Sequence, residues 1–175
     1  MRRKTKHDTK IPLFPKTQDI SILSIDPGNF SAWAFYCGGK IYWGHFGEIK
    51  DWRFLWSEGA ELFKELISAF GPINILLVEN QYVGFNPASA LSIAEKAQTW
   101  ACLGQYFGAE FIFKIRPSSW QSILKSKVRN RKALAAVAMP LAKDFTQKPK
   151  IVLTEDEVSA LCILKYFLTK YIQCN

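Results

Sequence analysis

The chain has 175 residues, of which 49% are apolar and 22% charged, and it carries a formal net charge of +8 with a pI of about 9.4. That length supports one sizeable core, and that apolar share excludes a disordered chain. No apolar run reaches the roughly 18 residues of a membrane span, and no hydrophobic segment follows the basic N-terminus, so the expectation is a protein neither secreted nor membrane-bound.

The basic excess is uneven. Residues 1–16 hold Arg2, Arg3, Lys4, Lys6, Lys10 and Lys16 against Asp8, and residues 114–150 hold ten basic residues against Asp144. Two basic segments on an otherwise acidic chain point to a polyanionic partner, nucleic acid before membrane. A scattered soluble surface is the plain alternative. Cys37, Cys102, Cys162 and Cys174 form no CxxC pair and no Cys/His metal pattern. They fit the cytoplasm or another reducing, DNA-containing compartment, and the two in apolar helical runs, Cys102 and Cys162, read as core residues.

Taken in order, residues 1–19 are polar and basic with two prolines and read as a flexible arm, leaving 20–175 as one domain. Residues 20–26 (ISILSID) form a buried strand that stops on Asp26 and breaks at Pro27-Gly28. Two aromatic-rich runs, 30–37 and 40–46, flank Gly38-Gly39 and read as a hairpin. Asp51 caps a helix to Phe70, with Phe54, Leu55, Leu62, Phe63, Leu66 and Ile67 on its apolar face and Gly71-Pro72 as its stop. Residues 73–79 repeat the first strand's design and stop on Glu79. A loop over 80–86 precedes a helix from Pro87 to about Phe107, with Pro87 suited to the first helical position. A strand over 110–115, a short helix over 117–124, a helix over 131–145 disturbed by Pro140 and a last helix over 154–172 complete the chain. The order gives three antiparallel strands and then two parallel ones, a mixed sheet with helices on both sides.

Two strands ending on acids carry the functional signal. Side by side and parallel, they bring Asp26 and Glu79 together at the sheet rim, where ligands bind in α/β folds. Converging carboxylates repel unless a cation lies between them, so the pair points to a divalent-metal site. Either acid alone would merely mark where a strand leaves the core. The last helix opens on Thr154-Glu155-Asp156-Glu157. Thr154 with Glu157 makes a capping box, and acids in a first turn suit the helix dipole. Asp156 and Glu155 remain as candidates for a third ligand, and each shares a helical face with Ser159.

In this order and spacing the motifs resemble those of the RuvC-type Holliday junction resolvases, members of the RNase H-like superfamily. The resemblance rests on Ile22-Leu23-Ser24-Ile25-Asp26-Pro27-Gly28, on Val78-Glu79-Asn80-Gln81-Tyr82, on Asn86-Pro87-Ala88-Ser89-Ala90-Leu91 and on the acidic turn, and it spans residues 20 to 170. It implies an RNase H-like five-stranded mixed sheet and a metal-dependent endonuclease that resolves four-way DNA junctions by paired symmetric nicks. It also implies two Mg²⁺ ions per site, with Mn²⁺ as an alternative, held by Asp26, Glu79 and Asp156. The fourth family acid falls on Ser159, a poor ligand for Mg²⁺, and Glu155 is the candidate replacement. The resemblance further implies a catalytic, DNA-contacting lysine at Lys132 and a base-stacking aromatic at Tyr82. Arg116, Lys125, Lys127, Arg129 and Arg131 are the candidate phosphate contacts. The small residues Ala90, Ala94, Ala97, Ala101 and Gly104 match a helix through which the family forms homodimers, matching a two-fold substrate; the plain alternative is a helix that packs only on its own sheet, as Leu91, Ile93, Leu103 and Phe107 must in any case. A branch-migration helicase is the implied protein partner. Two rivals stand beside this reading: a weak or inactive junction-binding protein, given the departure at Ser159, and, independently of it, an RNase H-like nuclease for other branched DNA or RNA–DNA hybrids.

Overall fold

The computed structural model describes residues 13–15, 20–28, 30–49, 51–80, 87–123, 130–143 and 152–173. Its main sheet has five strands in the order β4-β3-β2-β5-β6. These are β2 (Ile22–Asp26), β3 (Ala32–Cys37), β4 (Lys40–His45), β5 (Ile75–Glu79) and β6 (Phe111–Ile115). The first three run antiparallel, and β5 and β6 add in parallel to β2, as expected from the sequence. Gly38 and Gly39 both have positive φ, the conformation a two-residue hairpin turn requires between β3 and β4.

Alternation along each strand assigns the two faces. Leu23, Ile25, Leu76 and Val78 point toward α1 (Trp52–Phe70) and α2 (Pro87–Tyr106), where Leu55, Phe63, Trp100 and Leu103 are fully buried. Ile22, Ile75 and Leu77 point the other way, toward Leu161, Leu164 and Phe167 of α5 (Glu155–Tyr171) and Ala138 and Ala142 of α4 (Arg131–Lys143). Asp51 caps α1 by accepting from the N–H groups of Arg53 and Phe54, at 2.8 and 2.9 Å. The α2 helix lies close on the sheet at Gly104, where an added Cβ would come within 2.4 Å of Leu76 Cδ2.

Two readings change in the structure. Phe54 is exposed at the start of α1, because Leu55, Leu62, Phe63 and Leu66 define the buried face. Cys102 is exposed on the outer side of α2, whose inner side is taken by Trp100, Leu103 and Gly104. Cys162 is a core residue as expected, and burial pushes its thiol up to about 12. Of the arm, only residues 13–15 are described. There β1 (Phe14–Pro15) pairs in parallel with β7 (Ile172–Gln173), and the Phe14 ring packs on Phe111, Phe113 and Phe167. The short α3 (Pro117–Trp120) runs into a 3-10 turn at Gln121–Ile123, and α4 continues through Pro140.

Candidate active site

The register of β2 against β5 places Ile25 opposite Val78, so Asp26 and Glu79 leave the sheet at the same level. That register is pinned at the far end of the strands. The Ser21 N–H donates to Asn74 Oδ1 at 2.9 Å, the Ser21 hydroxyl donates to the Pro72 carbonyl at 2.6 Å, and the Asn74 N–H donates to Ser21 Oγ at 2.9 Å. Each acid follows a residue that faces α1 and α2, so both belong to the opposite, α5 face. Both are buried, with 6% exposure for Asp26 and 3% for Glu79.

The third acid arrives on α5. Ser24 Oγ lies 2.9 Å from the Ala160 carbonyl oxygen and 3.0 Å from that of Ala34, fixing α5 along β2. Two residues beyond Ser24 on the strand comes Asp26, and one turn before Ala160 on the helix comes Asp156. The Asp156 carboxylate sits over the backbone of Gly28, where an added Cβ would come within 3.1 Å of Oδ2. The Pro-Gly turn thus provides the space that the third acid fills. The Gly28 N–H also donates to Asp26 Oδ1 at 3.1 Å.

The electrostatics follow from this crowding. Burial pushes the Asp26 carboxyl well above the usual carboxylate range, and the Glu79 and Asp156 charges push it further. Hydrogen bonds from the Ser159 side chain and the Gly28 backbone act in the opposite direction. Ser159, the position where the resemblance leads one to expect an acid, is thus a hydrogen-bond partner of Asp26. Among the described residues, no three His, Cys, Asp or Glu side chains close into a ready-made metal cage. The donor set still suits a hard divalent cation: three carboxylates from β2, β5 and α5, one of them destabilised by the charge of the other two.

The remaining expected residues fall into three groups. Glu155 is exposed and its carboxylate is ion-paired with Arg131, the first residue of α4, so the basic start of α4 is tied to the acidic start of α5. Lys132 and Arg116 are exposed. Tyr82, Lys125, Lys127 and Arg129 lie outside the described residues. The capping box is present: Thr154 Oγ1 accepts from the Glu157 N–H and Glu157 Oε2 from the Thr154 N–H. The other Glu157 oxygen lies 3.0 Å from His45 Nδ1 at the end of β4.

Two residues around the site were missed from the sequence. Trp120, 2% exposed, donates its Nε1–H to Glu79 Oε1 at 3.0 Å. Its one available signal was a tryptophan in a short polar helix after the last strand. Lys96 on α2 is also buried, at 7% exposure. Burial lowers its pKa from the ordinary lysine value, while the Asp156 and Glu48 charges act to raise it.

The five-stranded mixed sheet with helices on both faces is an RNase H-like fold. Among solved structures it is similar to Thermus thermophilus RuvC in complex with a Holliday junction substrate, with a TM-score of 0.58 at 11% identity over 86% of this chain and 95% of that one. Thermus thermophilus RuvC is matched in a second structure with a TM-score of 0.55 at 12% identity, over 86% and 96% of the two chains. The yeast mitochondrial Holliday junction resolvase Ydc2 gives a TM-score of 0.49 at 14% identity, over 91% and 84%. No protein-family model and no curated protein matches the sequence.

Proposed function

We propose that the protein is a structure-selective, metal-dependent endodeoxyribonuclease that resolves four-way DNA junctions by paired symmetric nicks. The observation that carries this reading is the convergence of Asp26, Glu79 and Asp156 on one rim of a sheet built like that of RuvC. In this reading the three carboxylates hold Mg²⁺ or Mn²⁺. When bound, such ions polarise the scissile phosphate and supply a water of lowered pKa. Asp26 and Glu79 are held from rigid strands. Trp120 fixes the orientation of Glu79 through Oε1, and Ser159 does the same for Asp26. Glu155, ion-paired with Arg131, serves as a tether between α4 and α5 in this reading, and a direct role in metal binding falls to it second.

Lys132 follows Arg131 at the start of α4, and its ammonium is assigned to the DNA backbone beside the cut. Arg116, Lys125, Lys127, Arg129 and Arg131 extend that contact along the phosphates, and Tyr82 stacks on a base at the crossover. A second copy of the chain, docked through the outer face of α2, would supply the second nick. Leu91 and Tyr106, 63% and 73% exposed, lie on that helix. A branch-migration helicase is the partner class that would deliver the junction.

Ser159, standing where the resemblance leads one to expect a fourth acid, favours one rival, a junction-binding protein that does not cut. A cleavage assay on a mobile four-way junction with linear duplex alongside, in Mg²⁺, Mn²⁺ and EDTA, separates the two. The expected result is paired symmetric nicks that need metal, spare the duplex and disappear in Asp26→Asn. Tight junction binding with no nick in either metal would leave the binding protein instead.

A further inference from the structure

Phe30 is a large apolar side chain at 51% exposure, set in the turn between Asp26 and β3. One exposed phenylalanine is ordinary on a protein surface, but the mounting of this one is not. The Ser31 N–H donates to the Gly28 carbonyl at 3.1 Å and the Ser31 hydroxyl to the same oxygen at 3.3 Å, closing a four-residue turn with Phe30 in its third place. The Phe46 N–H donates to the Phe30 carbonyl at 3.2 Å and to that of Ser31 at 3.0 Å, and the Phe46 ring meets the fully buried Trp100 at 5.5 Å. Ser31 is itself fully buried and has a φ of 29°, the one positive φ at a non-glycine among the described residues. Backbone strain of this kind persists only where the surroundings hold it. Burying a phenylalanine ring would stabilise the fold, and this turn holds the ring half in water instead.

The turn is continuous with the carboxylate cluster. Its first residue, Gly28, donates its N–H to Asp26 Oδ1 at 3.1 Å, and the Asp156 carboxylate lies within 3.1 Å of where a Gly28 Cβ would stand. Asp156 follows Glu155, which is ion-paired with Arg131 at the basic start of α4. A chain of contacts therefore runs from a basic segment through the carboxylates to an exposed aromatic ring. A nucleic-acid strand offers the matching groups: phosphates for the cations and the metal site, and beside each phosphate a base with a π face. Resting on the nuclease reading above, we propose that Phe30 is a further DNA contact, a stacking platform for a nucleobase next to the phosphate held at the carboxylates. Stacking accepts any base, so the ring adds affinity and register without sequence preference. Because the turn is already fixed, little ordering is lost when the base arrives.

The test uses the full chain and a labelled four-way junction, comparing wild type with Phe30→Ala, Phe30→Leu and Phe30→Trp. Anisotropy in EDTA reads affinity, cleavage in Mg²⁺ reads the reaction, and thermal melts read the fold. Phe30→Ala and Phe30→Leu are expected to weaken junction binding by about tenfold, with Phe30→Trp tracking wild type. Phe30→Leu stands in if Phe30→Ala does not fold. Removing single bases around the crossover, one abasic site at a time, should find a position where wild type loses the same factor and the Ala or Leu variant loses nothing more. Folded variants that bind as wild type does overturn the platform and leave the nuclease reading intact. So does a loss in Phe30→Ala that Phe30→Leu restores and no abasic site reproduces, which is the mark of an apolar contact with protein, such as a second copy of the chain. A wild type that neither binds nor cuts the junction overturns both.

Discussion

Asp26 sits at 6% exposure with two other carboxylates acting on it, so the metal-free fold bears a cost at this residue. The unfolded chain releases the Asp26 proton near the ordinary pKa of about 3.9, whereas the native chain keeps it to higher pH. Across that window the native state binds more protons than the unfolded state, so this residue's contribution to stability falls as pH rises. Asp26→Asn removes the charge and keeps an oxygen to accept from the Gly28 N–H. Without metal, the variant is expected to melt above wild type near neutral pH, by about 2–4 °C for each kcal/mol of relieved repulsion, with the gap closing toward acid. Adding Mg²⁺ should raise the wild-type melting temperature and leave the variant's unchanged. Thermal melts over a pH series check both, and a variant that melts below wild type at neutral pH would contradict the repulsion. Asp26 and Glu79 were legible in the sequence because each ends an uninterrupted apolar run. Lys96 and Trp120 were not. Lys96 lies between Glu95 and Gln98 in a helix of low amphipathicity, so no periodic pattern marks its position as an interior one.

At the scale of the element, α5 positions Asp156, and its N-terminus is built by local rules. Thr154 and Glu157 close the capping box, and Glu157 also reaches His45, so the cap holds the helix to the end of β4. Thr154→Ala removes the hydroxyl that accepts from the Glu157 N–H. The expected loss is about 1 kcal/mol of stability, read as a lower urea midpoint with an unchanged m-value. If Asp156 acts from this turn, the variant should also bind Mn²⁺ more weakly, whereas an Ala at exposed Glu61 should change neither. The cap, the hairpin and the four acid-bearing or aromatic strand runs could be read from the sequence because each has a period or a turn residue of its own. The β1–β7 pair could not, because two-residue strands have no period, Pro15 argues against a strand, and the partner lies at the other end of the chain. The side of α2 that faces the sheet was legible only in part: Leu103 and Phe107 pack inward as expected, whereas Leu91, expected on the sheet, is exposed near the start of the helix. Its small residues fit close packing on Leu76 as well as packing on a second helix, and the structure uses Gly104 for the first.

For the molecule as a whole, the net charge is +8 while the candidate site is acidic, and this contrast decides what salt should do. Under the proposed function, Asp26, Glu79 and Asp156 repel DNA, which basic residues then have to hold. One such group is fixed beside the site: α4 starts with Arg131 and Lys132, and Arg131 is paired with Glu155 of α5. That pairing offsets part of the Arg131 charge, so under the proposed function exposed Lys132 is expected to be the stronger phosphate contact of the two. Junction affinity without metal should fall linearly on a log–log plot against salt, with a slope of about −0.9 for each phosphate neutralised. Lys132→Ala should make that slope shallower by about one and weaken binding evenly across junction sequences. Arg131→Ala should change the slope less, since the Glu155 it leaves behind was already drawing on its charge, and should move the melting temperature little, because both partners of this pair are exposed. Fluorescence anisotropy of a labelled junction across a salt series, run beside thermal melts, reads both effects. A Lys132→Ala slope equal to wild type, with cleavage lost, would move Lys132 from the DNA backbone to the chemistry itself.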